Sequence, residues 1–275
     1  TLDFSLHSET ARAIRLQASE LSQVSAERIA QELRRIVGEG SLPRAVQLLA
    51  ETGLWPMVFP ELRGSPHSLG VKTEADDFTE SGTSAGMSDD SWDQFVVNFD
   101  RLHSKELSTF LVLAIMASWN EGDDDPNSTR MEVLNRIVDR LRLTNRDAAL
   151  GRWLLEHEST IRSAETVPWP RLQRVLVHPD IAEMIALVTA LEPRIPGGRG
   201  ALEHCRSKLA VPRAELDPQP LLDGNHLRSH GVSPGPIYRE VLDAVRDAQL
   251  EGKVRNHEEA WRYAEALLRA RLKDQ

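Results

Sequence analysis

The residues of this 275-residue chain best placed to do chemistry lie near its C-terminus, in LLDGNHLRSHGVSPGP, residues 221–236. Gly231 and Pro234-Gly235-Pro236 must stop one helix and start another, and the start of the second leaves amides with no carbonyl of their own helix to bond. Such amides, at the positive end of a helix dipole, favour a phosphate. Arg228, His230, Arg239, Lys253 and Arg255 are near enough in sequence to add charge around Gly235. The chemistry implied is a grip on a nucleic-acid backbone that reads no bases, as helix-hairpin-helix modules do. A purely structural corner is the alternative, because residues 221–275 hold nine basic and nine acidic residues and are neutral overall.

Other candidates are weaker. His226 and His230 share the i,i+4 spacing of H-E-x-x-H without its Glu, and the other histidines are dispersed, so no metal site is expected. Asp123-Asp124-Asp125 lacks the alternating acids and the distant Glu of a calcium loop and implies a solvated turn. No phosphate-binding glycine loop, nucleophile elbow or C-x-x-C occurs, so those chemistries lack their minimum parts. Near the other end, Glu27, Arg28 and Glu32 share a helix on which Arg28 and Glu32 are i,i+4 partners. An ordinary surface ion pair and a role in shaping a nucleotide pocket are both open there. The same two readings are open for Arg34 and Arg35, with a solvated face the simpler; Arg194, Arg199, Arg206, Lys208 and Arg213 are either a solvated face or a second candidate surface for a polyanion.

The elements that must position these residues are helical. The chain is 40% hydrophobic but only 5% aromatic, with almost no apolar/polar alternation, which implies an all-α fold. Helices are expected over about 25–40, 41–53, 91–104, 105–122, 128–142, 145–162, 169–177, 180–191 and 200–211, with Gly53 as a stop and the apolar run from Phe110 to Met116 at the centre. In the tail, a short helix from Gly224 closed by Gly231 precedes a longer one from Ile237. Residues 64–90 are rich in Gly, Ser, Thr and Asp, and residues 212–220 hold three prolines, so both are expected to be connections. The organisation implied is an elongated array: a neck over 1–63, a loop over 64–90, a body over 91–211, a linker over 212–220 and a tail over 221–275.

Charge is unevenly placed. The net charge is −9, but residues 74–125 carry thirteen acids against Arg101 and Lys105, so the remainder is slightly basic. A polyanion excluded from that window could be held elsewhere. The single Cys205 can form no internal disulfide, and no apolar run approaches the roughly 20 residues that span a bilayer, so a cytoplasmic location away from membranes is expected.

Several stretches resemble one family. S25-A-E-R-I-A-Q-E-L33, A45-V-Q-L-L-A-E-T-G-L-W and F59-P-E-L are similar to the neck of class II tRNA nucleotidyltransferases and bacterial poly(A) polymerases. L221-L-D-G-N-H-L-R-S-H-G-V-S-P-G-P, R246-D-A-Q-L-E-G and E258-E-A resemble that family's tail. The resemblance implies an RNA-binding portion of an enzyme that adds nucleotides to RNA 3′ ends, with tRNA as the natural partner. It also implies a catalytic head, with a Gly-Gly turn and a D-x-D pair for magnesium, that is missing here. Asp3-Phe4-Ser5-Leu6 is similar to the stretch that follows the head's nucleotide-selecting motif, so ATP or CTP would be met only through the head. The chain alone is expected to be inactive and to need no cofactor of its own. Where the family places an HD-type phosphohydrolase, the chain reads Trp92-Asp93 and Ser118-Trp119-Asn120, which cannot supply that module's metal ligands. A degenerate HD-like domain and a helical protein-interaction module are the alternatives.

Overall fold

The computed structural model describes residues 5–39, 41–62, 89–118, 126–192 and 198–273. Among them there is no strand. The helices are α1 (Ser8–Gln17), a 3-10 segment (Ala18–Gln23), α2 (Ala26–Glu39), α3 (Leu42–Glu51), α4 (Trp55–Val58), α5 (Asp89–Asp100), α6 (Leu107–Ala117), α7 (Pro126–Arg140), α8 (Asn145–Arg162), α9 (Trp169–Leu176), α10 (Ile181–Leu191), α11 (Gly198–Leu209), α12 (Arg213–Leu216), α13 (Gly224–Ser229), α14 (Pro236–Leu250) and α15 (His257–Lys273). The all-α expectation holds. The expected loop at 64–90 lies outside the described residues except for Asp89 and Asp90, which are helical and begin α5.

The chain divides into two compact units, Thr1–Ser159 with Ala182–Gly198 and Thr160–Ile181 with Arg199–Gln275. In the first unit, α6 is apolar on every side and every one of its residues is buried. A helix without a polar face must be enclosed, and α2, α5 and α7 pack against it. Its two hydroxyls are satisfied: Ser108 Oγ donates to the Asp147 carbonyl at 2.9 Å and Thr109 Oγ1 to Glu183 Oε2 at 2.6 Å. Scarce aromatics collect beside it. Trp55 and Phe59 pack at 4.8 Å, Phe99 and Phe110 at 5.2 Å, and Trp92 stacks on Phe95 at 4.9 Å. Trp92 therefore does core packing where an HD module would hold a metal ligand, and Ser118 Oγ bonds back to the Ile115 carbonyl at 2.8 Å. Trp119 and Asn120 lie outside the described residues.

The second unit has its own apolar core. Leu222, Leu227, Val241, Val245, Ala248, Val254, Ala260 and Ala264 are buried together. The helices of this core end where glycine permits a left-handed backbone: Gly231 (φ +79°) follows α13 and Gly252 (φ +73°) follows α14, as Gly53 (φ +69°) follows α3 in the first unit. Asp217 holds the proline-rich stretch in place, accepting from Gln173 Nε2 at 3.1 Å and from Arg246 Nη2 at 2.9 Å. Arg246 Nη1 also donates to the Pro218 carbonyl at 2.6 Å.

Four helices were not expected from the sequence: the single turns α4 and α12, the latter inside the expected 212–220 connection, and the longer α1 and α15. α1 buries only Ala11, and is tied down by Arg15 Nη1 donating to the Glu51 carbonyl at 2.5 Å. α15 buries small residues, Ala260 and Ala264, which make a weak stripe. Phe99→Ala should lower unfolding free energy by about 4 kcal/mol, since the ring is 1% exposed between Phe95 and Phe110. Urea denaturation should show this as a lower midpoint at unchanged slope.

Candidate nucleic-acid interface

Two sets of residues were expected to meet RNA or a nucleotide pocket, one on each unit. On the neck, Glu27, Arg28 and Glu32 are exposed on α2. The expected Arg28–Glu32 pair is not formed. Glu27 pairs instead with Arg142, Nη1 to Oε1 at 2.7 Å, and its own amide and that guanidinium hold its carboxyl below the usual range. Arg142 can reach it because it sits at positive φ (49°) just past α7. Arg28 and Glu32 thus remain open to solvent, and Glu27 is a link between α2 and the α7–α8 turn.

Arg34, expected on a solvated face, is a structural clamp. Its Nη2 lies 2.5 Å from Asp147 Oδ2, and the Asp147 side chain is only 10% exposed. Asp147 also closes a reciprocal cap on α8: its Oδ2 accepts from the Thr144 amide at 2.9 Å and hydroxyl at 2.5 Å, while its own amide donates to Thr144 Oγ1 at 3.2 Å. Burial pushes the Asp147 carboxyl up, but the Thr144 bonds and then Arg34 outweigh it, and the pKa is lowered. T-x-x-D before an apolar helix was the available signal for the cap; Arg34, 113 positions away, had none. Arg35 pairs with Glu39 at 3.2 Å and is solvated as expected. A similar fork explains F59-P-E-L: Glu61 takes Arg140 Nε at 2.5 Å and Nη2 at 2.9 Å, and Phe59 is buried.

A cleft of about 740 Å³ opens beside Gly38 and Leu102, but Glu39, Asp100, Glu106 and Glu183 line it against a single Lys105, which disfavours a polyanion.

In the tail, the corner forms where the sequence implied. Asp223 caps α13 by accepting from the Asn225 and His226 amides at 2.9 and 3.0 Å. Those bonds, the His226 amide first, hold its carboxyl below the usual range. The Asp223 amide in turn donates to His226 Nδ1 at 3.1 Å, so this nitrogen is engaged locally. Tyr238 lies against Gly224 and donates its hydroxyl to the Val232 carbonyl at 2.6 Å, tying the SPGP turn to the end of α13. Gly235 caps α14 with no side-chain bond, Pro236 has no N–H, and the Ile237 amide therefore starts the helix without an intrahelical acceptor. Gly235 has φ 175°, an extended backbone open to any residue, and an added Cβ would meet nothing within 4 Å.

The candidate cations divide into two kinds. Arg239 faces Asp243 at 3.8 Å, and Lys253 pairs with Glu251 at 2.5 Å, which raises the lysine pKa. Among the described residues the exposed Arg228 forms no ion pair; Arg255 Nε donates to the Gly252 carbonyl at 3.4 Å while its amide donates to Glu259 Oε2 at 2.8 Å. His230 Nδ1 lies 2.8 Å from the His226 carbonyl, and the His230 ring stacks on Trp261.

The second basic group is engaged among its neighbours. Lys208 Nζ lies 5.0 Å above the Trp169 ring, and Arg213 bonds Asp217 at 3.2 Å and the Val177 carbonyl at 3.3 Å. Arg194 is outside the described residues. Among the described residues no three His, Cys, Asp or Glu side chains could hold a metal ion. Buried Cys205 has its thiol pushed up to about 11 by burial, which makes it a poor nucleophile. No described helix is long and apolar enough to cross a membrane.

With this geometry in view, comparisons with known proteins point one way. Residues 3–64 match a family described as "Probable RNA and SrmB-binding site of polymerase A". No curated protein matches the sequence. Two solved structures share the fold. One, a CCA-adding enzyme with CTP, has TM-score 0.57 and 19% identity over 98% of this chain and 57% of its own. The other, the Thermotoga maritima CCA-adding enzyme complexed with tRNA, has TM-score 0.54 and 19% identity over 97% and 58%. The chain thus spans under three fifths of either enzyme, and the resemblance to the CCA-adding and poly(A) polymerase family is supported by sequence at the neck and by fold along the chain.

The Asp147 clamp generates a test of its own. A carboxyl whose folded pKa is depressed stabilises above its unfolded pKa near 4, and the contribution is lost as pH falls through the folded value. Asp147→Asn should cost about 3 kcal/mol near pH 7. Thermal melts from pH 7 to pH 3 should show the difference between variant and wild type shrinking in acid.

Proposed function

We propose that this chain is the RNA-holding portion of an enzyme that adds nucleotides to RNA 3′ ends, and that tRNA is its substrate. The observation that carries the proposal is the coincidence of an RNA-binding family match over the neck with a CCA-adding-enzyme fold along nearly the whole chain. In this reading the magnesium-dependent transfer, and contact with ATP or CTP, belong to a head outside these residues, and the enzyme works in the cytoplasm. The residues present bind and orient. Arg228, His230, the Ile237 amide after Gly235, Arg239, Lys253 and Arg255 lie in or near the tail corner in sequence and meet RNA phosphates. Arg228 is the strongest of these because, among the described residues, its side chain forms no ion pair. Glu27, Arg28 and Glu32 lie on the neck face, where Arg28 and Glu32 stay available to a nucleotide-binding neighbour while Glu27 steadies α2 through Arg142.

A second reading has its own observation. The matched family is also described as a SrmB-binding site, and an apolar groove of about 470 Å³ lies within the matched residues, lined by Leu6, Ile14, Ile36, Leu48, Leu49 and Leu54. That groove suits a protein partner, and the neck would then be a protein-docking module.

Titrating tRNA binding against salt separates the two. Binding at ~50 mM salt that weakens steeply with added salt is the expected result. No binding there, or an affinity indifferent to salt, leaves only the protein-docking reading.

A further inference from the structure

Aromatic side chains are scarce in this chain, and the first unit buries Trp55, Phe59, Trp92, Phe95, Phe99 and Phe110 in one core. The tail uses its rings differently. Two rungs connect α13 to α15 in register: His226 lies 4.6 Å from His257, and one turn further on His230 lies 3.7 Å from Trp261, nearly parallel at 25°. His230 and His257 are exposed, and His226 and Trp261 are half-buried. A brace between two helices would be built more simply from the aliphatic residues that already join them, Leu227 to Ala260 and Ala264. This ladder instead leaves flat, polarisable rings at the surface.

Two exposed arginines lie near these rings in sequence. Arg228 is two residues from both His226 and His230, so helix geometry turns it to the other side of α13, and Arg255 lies two residues before His257. Among the described residues neither guanidinium forms an ion pair, although the Arg255 amide donates to Glu259 Oε2 at 2.8 Å, whereas Arg239, Arg246, Lys253, Arg262, Arg269 and Arg271 are all paired. Stacked rings on a tail that also exposes arginines match an unpaired nucleotide, whose base needs a π-face and whose phosphate needs a cation. His226 is held by the Asp223 cap and His230 by the His226 carbonyl, so the rings are oriented before any ligand arrives.

We propose that the His226/His257 and His230/Trp261 ladder is a stacking platform for an unpaired base of the bound RNA, with the exposed Arg228 and Arg255 adding charge toward the RNA backbone elsewhere on the tail. The tail then grips RNA by a splayed-out base as well as by backbone charge. This rests on the RNA-holding function proposed above, and adds to it a preference for looped or single-stranded RNA over plain duplex.

The test uses the full 275-residue chain with three probes: a tRNA, the same tRNA made abasic in its loops, and a blunt RNA duplex. Wild type should bind the abasic tRNA roughly tenfold more weakly than the intact one. Trp261→Leu should lose a similar factor on intact tRNA and nothing on duplex, and Trp261→Phe should restore most of it. Arg228→Gln should weaken every probe and lower the salt slope by about one. Melting temperatures of each variant distinguish a brace, which would lose stability without changing the preference for intact over abasic tRNA. If tRNA binds in a salt-dependent way but wild type does not distinguish intact from abasic tRNA, the platform is overturned while the RNA-holding function stands. If tRNA does not bind at all, both fall.

Discussion

The first unit is organised by the need to enclose α6. Eleven consecutive buried residues leave no face for water, so neighbours must cover the helix from all sides and must also satisfy Ser108 and Thr109. Those two hydroxyls fix where two other segments sit: Ser108 bonds the carbonyl of Asp147 at the start of α8, and Thr109 bonds Glu183 on α10. Unsatisfied, each would cost more than its bond contributes. The Asp147 carboxylate is then drawn into the same small space, where it caps α8 and pairs with Arg34 of α2. The neck segment is thereby held against the body helices of its own unit by a chain of buried polar contacts that begins at one apolar helix.

The same economy of roles runs through the stretches that resemble the nucleotide-adding family. Most of their recognisable residues serve the fold. Phe59 fills the aromatic core, Glu61 forks onto Arg140, Arg246 gathers Asp217 and Pro218, and Gly252 permits the left-handed end of α14. The groups that the fold leaves open are others: the exposed Arg228, which forms no ion pair among the described residues, the start of α14, and the exposed His230 ring.

Legibility followed the range of each signal. Apolar periodicity marked α2, α3, α5 to α11, α13 and α14, because each buries a face that local spacing reveals. It missed the single turns α4 and α12, too short to show a period, and α1 and α15, which bury alanines, α1 also being tied by Arg15 to the Glu51 carbonyl. At the site, the turn chemistry of Gly231 and Pro234 to Pro236 was readable, since both act within a few residues. So were the carboxylates one turn after Arg239 and two residues before Lys253; the pairing of Arg246 with Asp217 was not, since 29 positions separate them.

The sequence by itself therefore determined an all-helical chain, the positions of its principal stops, and a likeness to RNA-modifying enzymes, because period, proline and glycine act locally. Only the tertiary structure decided which distant charges pair and which rings meet. Glu27 finds Arg142, Arg34 finds Asp147, and His230 finds Trp261, each across 31 positions or more. Pairings of that range depend on how helices pack, and no local pattern of residue types encodes them.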